Sequence, residues 1–467
     1  MNAIYSARWV LPIASAPIDF GAVAIEGERI VAVGAAIDLA ARFPHFPVTD
    51  FGISAILPGL VNAHSHLELT VMRGFLEPEE HDFFAWLKKL TIARMAMTAD
   101  DLFVSAACGA IEAARAGITC VGDSSSVGTR TMPALAEIGL RGIVYQESFG
   151  PDPSLAAQNV SGLRRELDAM RALESATVLA GVSPHAPYTV SAPQLELIAQ
   201  LATADRLPLM MHAAESQAEK ALLVAGTGAF AEGLRKRNID WRAPGVSTIQ
   251  YLAQHGIMET RPLLAHCITV DDQDIETIRT TGASVAHCPK SNAKLRHGAA
   301  PFAKFLGAGL KVGLGSDSVA SNNTCDILEE ARFATLLARV SGTDFSLDDR
   351  PSQTEVCATD ALLSATLGGA RALGLDREIG SLKEGMQADL VVVRLDGSHQ
   401  QPVTNPVDAL IFSSSARDVR MTIVAGKEIF RDGNVSTADE MELQGRLKLV
   451  RDKLEEAGKQ NAVSSEQ

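Results

Sequence analysis

Cysteine is scarce in this chain and scattered. Cys108, Cys120, Cys267, Cys288, Cys325 and Cys357 are the only six in 467 residues, and no two form a CxxC pair. That excludes a disulfide framework and reads as reduced thiols in a cytosolic protein. Long apolar runs are also missing. None reaches the ~18 residues that a membrane span needs, so no membrane partner is expected. Positive charge is short: Lys plus Arg is 42 against 56 for Asp plus Glu, a net charge of −14. A nucleic-acid footprint should be basic, so that class of partner is set aside and a small-molecule substrate is expected. The start, WVLPIASA (9–16), imitates a signal-peptide core, but it is short, interrupted by Pro12 and preceded by one basic residue, Arg8. It reads as a strand, and the protein as cytoplasmic.

What is present is size and a repeating pattern. Hydrophobic residues make up 46% of the chain, enough for a large core. The length suits a barrel of roughly 250–330 residues with a smaller unit beside it. Residues 1–57 look like short strands, with a hairpin pattern in GAVAIEGERIVAVG (21–34). The pattern returns in ADLVVVR (388–394) and VRMTIVAGKEIFRDG (419–433). Neither end makes a comfortable core alone, so the two are expected to share one small β unit, 1–57 with 372–435. From 436 the chain is charged and helical, and its polar end, NAVSSEQ, should fray.

Between the ends, eight short apolar runs recur, each followed by an amphipathic helical stretch. They are PGLVNAHSH (58–66), GITCVGDSS (117–125), RGIVYQES (141–148), VLAGVSPHAPY (178–188), PLMMHAAES (208–216), RPLLAHCITV (261–270), SVAHCPKSN (284–292) and KVGLGSDS (311–318). Near-continuous apolar strands alternating with helices imply a parallel sheet covered on both faces. Eight such units imply a closed (β/α)8 barrel, here over residues 58–371.

His64, His66, His185, His212, His266, His287 and Asp317 all fall near the C-terminal ends of these runs. Barrel active sites are built at that end. A single histidine there is more often a satisfied core residue than a ligand, but packing alone does not collect so many. His64 and His66, two apart on a strand, point to the same side. With His212 and the carboxylate of Asp317 they make a mixed N/O set that suits one divalent ion, Zn²⁺ or Fe²⁺. Such a set leaves a position for water, whose pKa the metal lowers. Glu215, three residues after His212, can take a proton from that water and deliver it to a leaving group. The competing role for Glu215 is an acid at a helix N-terminus. His266 can hydrogen-bond the attacking water or a developing oxyanion.

The motifs PGLVNAHSH, SPHAPYTVS, MHAAES, LLAHC, HCPKSNAKLRHG and GLGSDS resemble the successive strand-end motifs of the amidohydrolase superfamily. GSLKEGMQADLVVV (380–393) resembles the motif leading into its C-terminal β-sandwich. The resemblance covers residues 3 to about 435. It lies in the branch that holds deaminases of adenosine-like compounds and s-triazine chlorohydrolases. It implies one metal on His64, His66, His212 and Asp317, with Glu215 and His266 as proton-transfer and water-orienting groups and His185 as a substrate contact. Trp86, Arg94 and Asn292 are counted as further substrate contacts. A homodimer or larger homo-oligomer is expected only by analogy.

The subgroup it most resembles deaminates 5′-substituted adenosines, of the methylthioadenosine/S-adenosylhomocysteine or aminodeoxyfutalosine type. NAHSHLELTVMRG (62–74) and residues 226–252 resemble the aminodeoxyfutalosine type. The methylthioadenosine type usually places a Glu after the tryptophan-containing helix, where it can hold ribose hydroxyls. After Trp86 this chain reads LKKLTIARMAMT (87–98), with Arg94 near that place and no acid. Arg94 can meet a substrate carboxylate, or it can lie with Lys88 and Lys89 on a solvated helix face. The alternative chemistry is hydrolysis of another cyclic amidine, or of an s-triazine C–N or C–Cl bond. The family's chlorohydrolases can lack the acid after the third histidine, and Glu215 is present here.

Overall fold

The computed structural model of the protein describes residues 2–341 and 355–465. The part of the expected barrel segment at 342–354 lies outside the described residues. All eight apolar runs are strands: Leu60–Ser65, Ile118–Ser125, Arg141–Ser148, Val178–Pro184, Met210–Ala213, Leu263–His266, Ser284–His287 and Lys311–Leu314. They are buried almost throughout, which is why they read as unbroken apolar runs rather than alternating ones. They form two parallel four-stranded sheets in chain order. Bridges Val182↔Leu209 and Ser65↔Asp317 join the fourth strand to the fifth and the first to the end of the eighth, closing a (β/α)8 barrel.

The barrel floor is filled by small and branched side chains, among them Val61, Ala63, Cys120, Met210, Ala265 and Ala286, packed with Ala370 and Ala372. The helix Gly369–Ala372 can approach so closely because its first residue carries no side chain. A Cβ on Gly369 would meet Val61 Cβ at 2.8 Å, and one on Gly313 would stand 2.7 Å from Ala63 Cβ.

Both chain ends join in one nine-stranded sheet. Its centre is Ser54–Pro58 paired antiparallel with Leu390–Arg394, Leu57 opposite Val391 and Ile56 opposite Val392. The period of two sorts these side chains. Ile56 and Val392 enter the sheet's own core with Tyr5, Val23 and Ile423, whereas Leu57 and Val391 join the core that extends into the barrel helices. Both expected hairpins are present. The second turns at Ala425 and Gly426, both with positive φ (47° and 74°), the two-residue turn whose twist matches the strands it joins. The end strand runs to Pro58 and the first barrel strand starts at Leu60.

The first strand-to-helix connection carries an added helix, Phe83–Met95, over the C-terminal mouth of the barrel. The helix Glu440–Ser465 follows the end sheet, running further into the polar end than the expected fraying. Residues 466 and 467 lie outside the described residues. Its Val450 and Leu454 pack in one cluster with Trp86, Leu90 and Met97, so it braces the added helix. No helix among the described residues is long and apolar enough to cross a membrane.

Candidate metal-dependent active site

The seam between the eighth strand and the first brings the site's parts together. Asn62 clamps Ser316 in both directions: its Nδ2 donates to Ser316 Oγ at 2.7 Å, and its Oδ1 accepts from Ser316 N at 3.0 Å. The next backbone N–H, that of Asp317, donates to the carbonyl of His64 at 2.9 Å. The chain turns sharply at these strand ends. Ala214, His266 and Asp317 have φ of 52°, 73° and 55°, a left-handed conformation that non-glycine residues hold mainly at functional sites.

His64, His66 and His212 each place a ring nitrogen within 4.8 Å of those of the other two. Asp317 Oδ1 lies 3.4 Å from His64 Nε2 and 3.5 Å from His66 Nε2. The protonation pattern suits a cation. His212 Nδ1 donates to the carbonyl of His185 at 2.9 Å, so its Nε2 carries a lone pair. That lone pair faces His66 Nε2 at 3.2 Å. Buried His64 makes no hydrogen bond with either ring nitrogen. Burial lowers the pKa of all three imidazoles, that of His66 to about 3, which keeps them neutral and able to coordinate. Burial pushes the Asp317 carboxyl up, but the imidazoles of His64, His266 and His66 hold it well below the usual carboxylate range. Its other oxygen, Oδ2, accepts from Ser291 Oγ at 2.6 Å and Ser321 Oγ at 2.9 Å. Neutral imidazoles converging on an oriented carboxylate, with His64 free of any hydrogen bond, form a donor set that one divalent metal fits.

Glu215 stands beside this set and is buried. Burial raises its pKa, with the charge of Asp317 adding to the rise and His297 opposing it. Its Oε2 accepts from Tyr188 OH at 3.2 Å, and its Oε1 lies 3.7 Å from His297 Nδ1 and 3.8 Å from His266 Nε2. Its backbone is held by a second buried acid. Glu219 accepts from the N–H groups of Ala214 (2.8 Å) and Glu215 (3.1 Å) and from Thr248 Oγ1 (2.6 Å). Glu215 stands one residue before the cap of the next helix and lines the pocket. The next helix is capped by Ser216, which accepts from Glu219 N.

The pocket over the cluster is lined on its outer side by Leu69, Phe83, Trp86, Leu87, Leu90 and Leu295, and on its inner side by His66, His185, His212, His266 and Asp317. His185 projects into it with Nδ1 hydrogen-bonded to Thr189 Oγ1 at 2.9 Å and its ring 4.7 Å from that of His212. Arg94 lines it too, so it does not lie on a solvated face with Lys88 and Lys89. Its Nη1 is bonded to Glu147 Oε2 at 3.2 Å. Lys89 pairs with Glu79 instead.

Asn292 and His287 stand outside the lining of this pocket. Asn292 is buried behind His266, whose Nδ1 it binds through Oδ1 at 2.8 Å. It does not line the pocket, because the short helix Pro289–Lys294 after the seventh strand carries it to the far side of that imidazole. His287 ends its strand as expected but stacks on Phe302 with ring centres 5.1 Å apart, away from the pocket.

Three residues at the site were not singled out from the sequence: Glu147, Tyr188 and His297. Each lies in a quoted motif. Glu147 sits at the C-terminal end of the third strand, the position that singled out the histidines. Burial pushes its carboxyl up to about 7, against the pull of Arg94.

Comparison with known proteins agrees with this architecture. Residues 55–429 match the model of the Amidohydrolase family, and residues 21–45 match a bacterial imidazolonepropionase-like composite domain. The chain is 32% identical to a 5-methylthioadenosine/S-adenosylhomocysteine deaminase of Syntrophobacter fumaroxidans, over 92% of this chain and 93% of that one. It is 31% identical to the protein of the same name from Moorella thermoacetica, over 94% and 96%. Among solved structures it resembles an adenosine deaminase from Xanthomonas campestris with bound zinc, at 26% identity and a TM-score of 0.85, covering 97% of this chain and 98% of that one. The barrel, the strand-end cluster and these relationships together identify the chain as a member of the amidohydrolase family.

Proposed function

We propose that this protein is a hydrolytic deaminase that replaces the 6-amino group of a 5′-substituted adenine nucleoside by oxygen and releases ammonia. The observation that carries this is the placement of Glu215, a buried carboxyl between Tyr188, His297 and His266 at the edge of a four-residue metal set. Relatives named as deaminases of methylthioadenosine and S-adenosylhomocysteine, about a third identical along almost the whole chain, support the substrate class. The Xanthomonas campestris structure supports zinc as the metal.

His64, His66, His212 and Asp317 would hold the ion, which when bound supplies Lewis acidity and brings the pKa of water toward neutrality. Glu215 takes a proton from the attacking water and delivers it to the ring nitrogen next to the amine-bearing carbon. Protonation makes that carbon electrophilic. Burial raises the pKa of Glu215 above the usual carboxyl range, which favours the protonated form that hands this proton on. A second proton passes through Glu215 to the departing amine. His266, with its Nδ1 proton donated to Asn292, keeps Nε2 free as an acceptor toward the water. The base lies against Glu215, and the sugar with its 5′ group projects past His66 and His185 toward the Trp86 helix. Every group in this scheme comes from one chain; a homo-oligomer, expected by analogy, adds nothing that the scheme requires. Six free thiols and a net charge of −14 support a cytoplasmic enzyme acting on small molecules rather than nucleic acid.

The test is a deamination assay across adenine nucleosides, guanine, pterins and s-triazines, followed in the ultraviolet and by ammonia release. Turnover of an adenine nucleoside is expected. Turnover confined to triazines or other cyclic amidines would replace this function with the alternative chemistry.

A further inference from the structure

Arg94 is the only guanidinium among the described residues that line the pocket, and its charge is already engaged within the protein. Its Nη1 lies 3.2 Å from Glu147 Oε2, and its Cζ lies 5.1 Å from the centre of the Phe149 ring. The Glu147 side chain is 1% exposed and that of Arg94 19%. Two anchors hold the guanidinium, and breaking so buried a pair would leave a carboxylate without its partner. The wall around the pair is apolar, with Phe83, Trp86, Leu87 and Leu90 on the covering helix.

The pair also has a definite place relative to the chemistry. Glu147 Oε1 lies 4.0 Å from both His66 Nδ1 and His185 Nε2. Glu215 instead stands beside His266 and His297. A nucleoside whose base lies against Glu215 therefore sends its 5′ substituent toward Glu147, Arg94 and the covering helix.

We propose that Glu147 is a specificity-determining residue, which by holding Arg94 makes the subsite for the 5′ substituent accept an uncharged tail and reject a carboxylate. This rests on the deaminase function proposed above, and it replaces the expectation that Arg94 itself receives a substrate carboxylate. A carboxylate tail would have to share one guanidinium with Glu147, placing two like charges together where water does not screen them. An uncharged alkyl or thioether tail loses little hydration and gains apolar contact with Trp86 and its neighbours. The discrimination thus lies mainly in what the site repels.

The experiment compares kcat/KM for 5′-methylthioadenosine with that for an analogue whose 5′ thioether ends in a carboxylate, at about pH 8 so that carboxyl groups are ionised. The wild-type enzyme should prefer the uncharged substrate by about tenfold or more. Glu147→Gln, which releases Arg94, should raise the relative kcat/KM of the carboxylate substrate about tenfold or more, mainly through KM. Arg94→Gln should move the ratio the other way, and it keeps the inference testable if the Glu147 variant does not fold. A wild-type preference for the carboxylate substrate, or a ratio unmoved by either variant, overturns the assignment. Failure to deaminate any adenine nucleoside is a different result, which removes the proposed function and this inference with it.

Discussion

Asp317 and His64 are joined twice across the seam of the barrel. The backbone N–H of Asp317 donates to the carbonyl of His64 at 2.9 Å, and Asp317 Oδ1 lies 3.4 Å from His64 Nε2. Two residues proposed as ligands, about 250 positions apart in sequence, thus share one rigid piece of backbone. A metal site needs this, because ligand geometry set by main-chain pairing does not depend on the flexibility of a loop.

Elemental analysis should find about one divalent ion per chain. His212→Ala and Asp317→Asn should each lose most of that metal and about 10³-fold or more in turnover. Full turnover in a metal-free variant would remove the ion from the mechanism.

Ser291 and Ser321 both donate to Asp317 Oδ2, which leaves Oδ1 to face the histidines. Removing both hydroxyls frees the carboxylate to rotate. The double variant Ser291→Ala/Ser321→Ala should bind metal about 10- to 100-fold more weakly in a chelator competition. Unchanged affinity would mean that backbone pairing alone orients Asp317.

Glu215→Gln should keep the fold and the metal but lose about 10²-fold or more in kcat, since an amide cannot carry the proton. Near-normal turnover would reduce Glu215 to a structural acid.

Asn292 binds the Nδ1 of His266, and we propose that it acts through that imidazole. Asn292→Leu removes the acceptor that fixes the imidazole tautomer. It should lower kcat by about tenfold or more with little change in KM or metal content. A change confined to KM would return Asn292 to the substrate contacts.

Glu219 titrates in a direction that can be followed in stability. Burial raises its pKa from 4.5 to about 7. Between those values the folded state binds more protons than the unfolded state, so stability falls as pH rises through this window, and the loss is complete above it. Glu219→Gln should flatten that slope in thermal unfolding of chelated protein between about pH 4 and pH 8. Identical slopes in the two proteins would show that Glu219 keeps an ordinary pKa.

The barrel was legible in the sequence because strands buried on both faces must be apolar along their length, and eight such runs stood out between amphipathic helices. The metal set was legible for a related reason: barrel side chains at strand ends face one mouth, so position along a run predicts convergence. Tyr188 and His297 were harder to read. Tyr188 lies in the turn after its strand and His297 beyond the short helix Pro289–Lys294, where nothing in the spacing says which way a side chain turns. Glu147 does end a strand, but one acid in a run offers no pattern to distinguish it from a solvated residue.

The fold class, the meeting of His64, His66, His212 and Asp317 at one mouth and the nearness of Glu215 are legible in the amino-acid order alone. Each follows from periodicity or from a position at a strand end, and these are local properties of the chain. The partners of Arg94 and Asn292 emerge only from the tertiary structure. Arg94 stands 53 residues from Glu147 and Asn292 stands 26 from His266. Whether a guanidinium is free for substrate or held by a carboxylate, and whether an amide meets substrate or orients an imidazole, depends on which side chains meet across the barrel mouth. Side-chain pairing at that range is set by packing, and no local pattern encodes it.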